Sequence, residues 1–180
     1  MTRLGIALAA LFVVGTAQAD VESGPKAGEK VGELKVAVVI GDNAGKEIDA
    51  VADRKGPTVY LFVRSDAFSR PMFRFLKALD AKLKDTGDGT TAVAVWVGDD
   101  ADKDKEYLKR AEKSLEFTGI TLSVSGSGKA GPNGWGINTD AHLTAVVVAK
   151  GKVVKSFAYD TVNETDAKAV AESLKKAGGK

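Results

Sequence analysis

The clearest pattern of apolar and polar positions lies at 58–83, TVYLFVRSDAFSRPMFRFLKALDAKL. The unbroken β-branched and aromatic run at 58–63 predicts a strand buried on both faces, and Pro57 at its start leaves a central ladder undisturbed. Met72, Phe75, Leu76, Leu79 and Leu83 then recur at helical spacing, with Arg74, Lys77, Lys82 and Lys84 largely on the other side. Ser69 or Arg70 caps this helix, Pro71 suits its first turn, and it ends before the GDG at 87–89.

The alternation continues downstream. Residues 91–97, TAVAVWV, read as a second buried strand, and the acidic turn at 98–102 suits the N-terminus of a helix marked by Tyr107, Leu108, Ala111, Leu115 and Phe117. A short strand at 121–125 leads into the glycine-rich stretch SGSGKAGPNGWGINTDAH. Runs at 143–149 and 153–159 flank Lys150, Gly151 and Lys152 as a hairpin, and a helix over 165–176 closes the chain. Ahead of these, LKVAVVIGDNAGKEIDAVADRKG reads as a strand, a turn and a second short extended element, forming an N-terminal β-rich extension. From residue 58 the order is β-α-β-α-β-β-β-α, which calls for an α/β domain with a mixed sheet, parallel strands joined by right-handed crossovers and antiparallel strands added by the hairpin.

Three regions fix the organisation. The first residues, MTRLGIALAALFVVGTAQAD, place Arg3 before an apolar run at 4–14 and a small-residue site at 17–19, so residues 1–19 read as a signal peptide cleaved after Ala19. The apolar run is well short of the roughly 20 residues a spanning helix needs. The expected protein is therefore exported, to a bacterial periplasm or the medium. Residues 20–33, rich in Gly, Pro, Lys and Glu, read as a flexible lead-in, and 34–180 as the domain.

Composition narrows the chemistry. With 44% hydrophobic and 28% charged residues, the chain has the make-up of one soluble domain. Its 26 basic and 24 acidic residues are interspersed, so no basic stripe points to nucleic acid. It has no cysteine, which excludes a disulfide framework, a thiolate nucleophile and a Cys-ligated metal together.

That exclusion matters because of what the motifs resemble. TVYLFVRSDAF is similar to the strand that delivers the active loop of thioredoxin-like proteins of the redoxin and peroxiredoxin branch. SRPMFRFLKALDAKL resembles the helix that begins inside their Cys-X-X-Cys, and WGIN with AHLTAVVVAKGKVV resembles their cis-proline turn and hairpin. The resemblance covers roughly residues 34–176 and implies a thioredoxin-like mixed sheet flanked by helices. Where such proteins carry cysteines, this loop has Ser65, Asp66, Ala67, Phe68, Ser69 and Arg70, and the residue before Thr144 is Leu143 rather than proline. A trans bond is expected there, because a cis bond without proline costs about 2.5–4 kcal/mol. Disulfide exchange needs a thiolate, so thioredoxin-type catalysis and peroxide reduction by this chain alone are excluded.

The candidate site is the edge onto which the resemblance brings Ser65, Asp66, Ser69, Arg70 and His142. A Ser-His-Asp hydrolase is disfavoured by the lack of a Gly-X-Ser-X-Gly elbow, and a metal held by His142 with Asp66 or Asp140 by a thin ligand set. Arg64 and Arg70 beside a helix N-terminus form a candidate small-anion pocket. The G-X-G-X-X-G match at 126–131 is followed by Pro132 rather than a helix, so it lacks phosphate-cradling geometry. Trp135 reads as tacking this loop to the core, with a surface contact for a partner as the alternative. The expectation is a non-catalytic binding or interaction module without cofactor, for an unknown protein partner or a small anion. The alternatives are an accessory subunit whose cysteines lie on a partner, or a weak metal or anion carrier using His142.

Overall fold

The computed structural model describes residues 21–52, 54–87 and 89–179. The expected signal peptide, 1–19, lies outside the described residues. Seven strands and three helices follow in the order β1 (Lys35–Ile40), β2 (Glu47–Asp49), β3 (Thr58–Arg64), α1 (Arg70–Leu83), β4 (Thr91–Val97), α2 (Ala101–Leu115), β5 (Ile120–Ser125), β6 (Leu143–Ala149), β7 (Lys152–Tyr159) and α3 (Ala167–Ala177). One mixed sheet takes all seven strands in the order β2-β1-β5-β4-β3-β6-β7.

The parallel core and the antiparallel additions both answer to the residue pattern. β3 pairs in parallel with β4, Thr58 opposite Thr91 through Arg64 opposite Val97, and β4 pairs in parallel with β5. On its other side β3 pairs antiparallel with β6, and β6 with β7. Lys150 and Gly151 turn that hairpin with φ of 53° and 72°, the two positive values a type I′ turn needs. The N-terminal extension is the antiparallel pair β1 and β2, added beside β5.

Alternation along β3 divides two cores. Val59, Leu61 and Val63 face the helices, where Phe75, Leu76 and Leu79 of α1, Leu108 of α2 and Val170 and Leu174 of α3 bury against them. Tyr60 and Phe62 face the opposite side, which no helix among the described residues covers; Trp135, Ile137, Leu34 and Ala50 close it from loops and strand ends. Trp135 is fully buried, its ring centroid 5.1 Å from both Tyr60 and Phe62, and its indole N–H donates to the Glu33 carbonyl at 3.3 Å. The alternative of Trp135 as a partner contact is thus corrected: the sheet face lacks a helix, and this indole supplies the missing apolar layer.

The lead-in also differs from expectation. The Ser23 hydroxyl lies 2.6 Å from that of Thr144 and accepts from the Asn138 N–H at 2.9 Å. Gly24 N–H donates to Gly136 O, and Gly28 and Glu29 exchange 2.8 Å main-chain bonds with Val153 of β7. Polar composition suggested flexibility, but β7 is an edge strand whose unpaired main-chain groups offer this segment partners. Smaller differences lie at element ends: Glu116 takes a left-handed φ of 43° and stops α2 before Phe117, and the turn preceding α3 is fixed by a capping box between Asn163 and Asp166. Among the described residues no helix is long and apolar enough to cross a membrane.

Candidate functional site

The parallel strands β3, β4 and β5 end together, and the loops leaving them meet the approach to β6 along one sheet edge. After Arg64 the chain makes one 3-10 turn, Ser65–Ala67, before Ser69 caps α1 from an extended conformation. An ion-pair chain ties the edge together. The Arg64 guanidinium grips Asp66 through Nε at 2.8 Å and Nη2 at 3.2 Å, and its Nη1 donates to the Thr139 carbonyl. Lys129, from the glycine-rich loop, bridges Asp66 at 3.1 Å and Asp99 at 2.9 Å. Hydrogen bonds from Arg64 above all, then Lys129, hold the Asp66 carboxyl down at about 2.

Beside this chain lies a cleft of about 380 Å³ between the 3-10 turn and α2. Phe68, Trp96 and Tyr107 form its apolar walls, with Phe68 5.3 Å from Trp96 and 6.0 Å from Tyr107 between ring centroids. Asp104 lines it from the first turn of α2 and is 8% exposed. Burial pushes this carboxyl above the usual carboxylate range; the Ser65 hydroxyl partly opposes that, and Asp100 adds to it. Among the described residues its Oδ2 has no hydrogen-bond partner within bonding distance. Gly98, at the end of β4, is what lets these groups meet: a Cβ there would lie 2.1 Å from Ser65 Oγ and 2.7 Å from Asp104 Oδ2. No side chain fits between them.

The sequence-predicted residues divide. Ser65 and Asp66 belong to the cleft, whereas Ser69 and Arg70 are exposed at the start of α1, and the Ser69 side chain makes no capping bond. Arg64 is spent on Asp66 and Thr139, so the expected pairing of Arg64 with Arg70 as an anion clamp does not form. His142 enters through its main chain, accepting from Arg64 N–H at 3.1 Å and donating to Tyr159 O at 2.8 Å. Among the described residues its imidazole makes no hydrogen bond to Ser65, Asp66 or Ser69, and no three His, Cys, Asp or Glu side chains gather as a metal would require. Asp104, Tyr107, Lys129 and Gly98 were not picked out from the sequence. A signal for Asp104 was present: it lies four residues before Leu108, a carboxylate on the apolar stripe of its helix.

No known protein-family pattern matches the sequence, and no curated protein matches it. Solved structures do match the fold. A DsbF homologue from Corynebacterium diphtheriae superposes with a TM-score of 0.61 at 18% identity, over 92% of this chain and 100% of that one. The exposed lipoprotein thioredoxin of Streptococcus pneumoniae strain TIGR4 gives 0.58 at 20% identity, over 81% and 99%. A peroxiredoxin-like protein from Aquifex aeolicus gives 0.59 at 16% identity, over 86% and 91%. The fold is therefore thioredoxin-like, built by a chain without cysteine.

Proposed function

We propose that this chain is an exported, non-catalytic thioredoxin-like domain that binds its target at the sheet edge bearing Ser65, Asp66 and the adjoining cleft. The observation that carries the reading is the fate of the loop that resembles a thiol loop: Asp66 is locked between Arg64 and Lys129, and a recessed cleft stays open beside it. A concave cleft with aromatic walls and a few polar groups is the form small binding sites take, and this supports the reading.

Export is part of the proposal and rests on the basic, apolar and small-residue pattern of 1–19. Two measurements test it. Mass spectrometry of the secreted or periplasmic fraction should find a mature chain beginning at Asp20; an intact N-terminus retained in the cytosol refutes export. Amide-shift titrations of that mature chain with zinc, phosphate, glutathione and n-butylammonium should move residues 64–68, 98–107 or 126–130. Silence of all these amides toward every probe refutes the edge as a small-ligand site.

A further inference from the structure

We propose that the cleft between the 65–68 turn and α2 recognises an alkylammonium group, with Ser65 as the acceptor that meets it and Asp104 as the charge behind Ser65. The inference rests on the edge being a binding site and names the chemistry it takes.

The starting point is the orphaned oxygen. Asp104 is 8% exposed and lines the cleft, yet among the described residues its Oδ2 meets no donor within bonding distance. Buried carboxylate oxygens without donors are rare because the missing bond is costly, so this one draws the nearest hydroxyl hydrogen toward it. Ser65 Oγ is the neighbouring hydroxyl, brought beside it over the side-chain-free Gly98. A serine hydroxyl donates once and accepts twice. With its hydrogen turned toward Asp104, Ser65 presents lone pairs to the cleft, and the group it can greet is a donor.

The walls say that this donor is cationic. Phe68, Trp96 and Tyr107 line the space, and aromatic rings attract ammonium groups and disfavour anions. Asp66, Asp99 and Asp100 stand around the rim. The cleft's own cations do not fill the role. Lys129 is held by Asp66 and Asp99, and neither Lys103 nor Arg110 forms an ion pair with Asp104. An unbranched alkyl chain can lie along the rings while its ammonium head reaches Ser65, and about 380 Å³ suits a chain of lysine length.

The same chemistry is offered by a free amine or by a lysine side chain of a partner, and two probes separate them. The mature chain is titrated with n-butylammonium, with an end-blocked Gly-Lys-Gly peptide, and with n-butanol as the uncharged counterpart, followed by amide shifts at 65–68 and 98–107. The expected result is saturable shifts with the ammonium probes and at least about tenfold weaker binding by butanol. Asp104→Asn should weaken ammonium binding by about tenfold and Ser65→Ala by a smaller factor, while Tyr107→Ala, at a side chain 39% exposed, should weaken it about threefold. Tighter binding of the peptide assigns the site to a protein lysine; tighter binding of butylammonium assigns it to a small amine. Equal response to butanol, or affinity unchanged in both Asp104→Asn and Tyr107→Ala, overturns the proposal. If phosphate or glutathione moves the edge and ammonium does not, the alkylammonium assignment fails while the edge stands as a site. If no probe moves it, both fail.

Discussion

Replacing Trp135 by alanine should be among the most damaging single changes in the protein. The indole is fully buried, sits 5.1 Å from the rings of both Tyr60 and Phe62, and donates to Glu33 O at 3.3 Å. Buried Trp-to-Ala replacements cost about 3–5 kcal/mol, because transfer free energy is lost and a cavity remains. This site has little means of collapsing: no helix among the described residues backs that face, and the 126–142 loop is its lid. Against a total stability of roughly 5–15 kcal/mol, such a loss removes a large part of the margin, and it should lower Tm by about 6–20 °C for a domain of this size. The assay is urea unfolding followed by far-ultraviolet circular dichroism, with Trp135→Phe as a companion that keeps a ring and loses the indole hydrogen bond. The phenylalanine variant should lose about half as much or less. A loss below about 1 kcal/mol for Trp135→Ala would refute the claim that one indole replaces a missing layer.

Three further expectations concern other groups. Asp80, 6% exposed, accepts from Thr118 N–H at 3.0 Å, Thr118 Oγ1 at 3.2 Å and Gly119 N–H at 2.7 Å, so Asp80→Ala should cost about 2–3 kcal/mol in chemical unfolding. Asp104 carries a carboxyl raised by burial, so its contribution to stability is present below the unfolded-state value of about 3.9 and is lost as pH rises through the higher folded-state value. Melting temperatures of Asp104→Asn relative to the native chain should therefore climb as pH rises from about 4 toward neutrality, and a pH-independent difference would contradict the burial argument. A cysteine placed by Ser65→Cys would face Asp104 and Asp66 and lie outside the first turn of α1, so iodoacetamide kinetics against pH should give a thiol above about 8.5. A lower value would mean that the edge still favours thiolate.

Much of the fold was legible because its signals are local. The continuous apolar run of β3, the helical stripe of α1 with Pro71 in its first turn, and the turn at Lys150 and Gly151 each depend on residues adjacent in sequence. What escaped depends on residues far apart. The docking of 21–33 is decided by Thr144, Gly136 and Val153, which composition in that segment cannot reveal. The cleft was half visible: Ser65 and Asp66 stand in the loop that drew attention, whereas Lys129 reaches Asp66 only because the chain folds the glycine-rich loop back over the edge. Asp104 was passed over, although its four-residue offset from Leu108 set it on the buried side of its helix. His142 drew attention as the only histidine, but its main chain is what the structure uses there, closing the ladder between Arg64 and Tyr159.

The arrangement around Ser65 also supports the proposal that this oxygen recognises a ligand and does not attack one. A serine hydroxyl becomes a nucleophile when a base near neutral pKa stands in line to take its proton, a role that imidazole fills well and a carboxylate fills poorly. The imidazole of His142 makes no hydrogen bond to Ser65 among the described residues, and the group against the hydroxyl is the Asp104 carboxyl. Burial raises that carboxyl, yet a carboxylate polarises a hydroxyl far more readily than it deprotonates one. Polarisation without deprotonation makes a hydroxyl a stronger hydrogen-bond acceptor on its other side, which is the role proposed for Ser65. The ion-pair chain from Arg64 through Asp66 and Lys129 to Asp99 acts in the same direction, since it fixes the loops around the cleft and gives no mobile acid or base. On the proposed reading, affinity for an alkylammonium group is the property on which substitutions at Ser65 and Asp104 should register first.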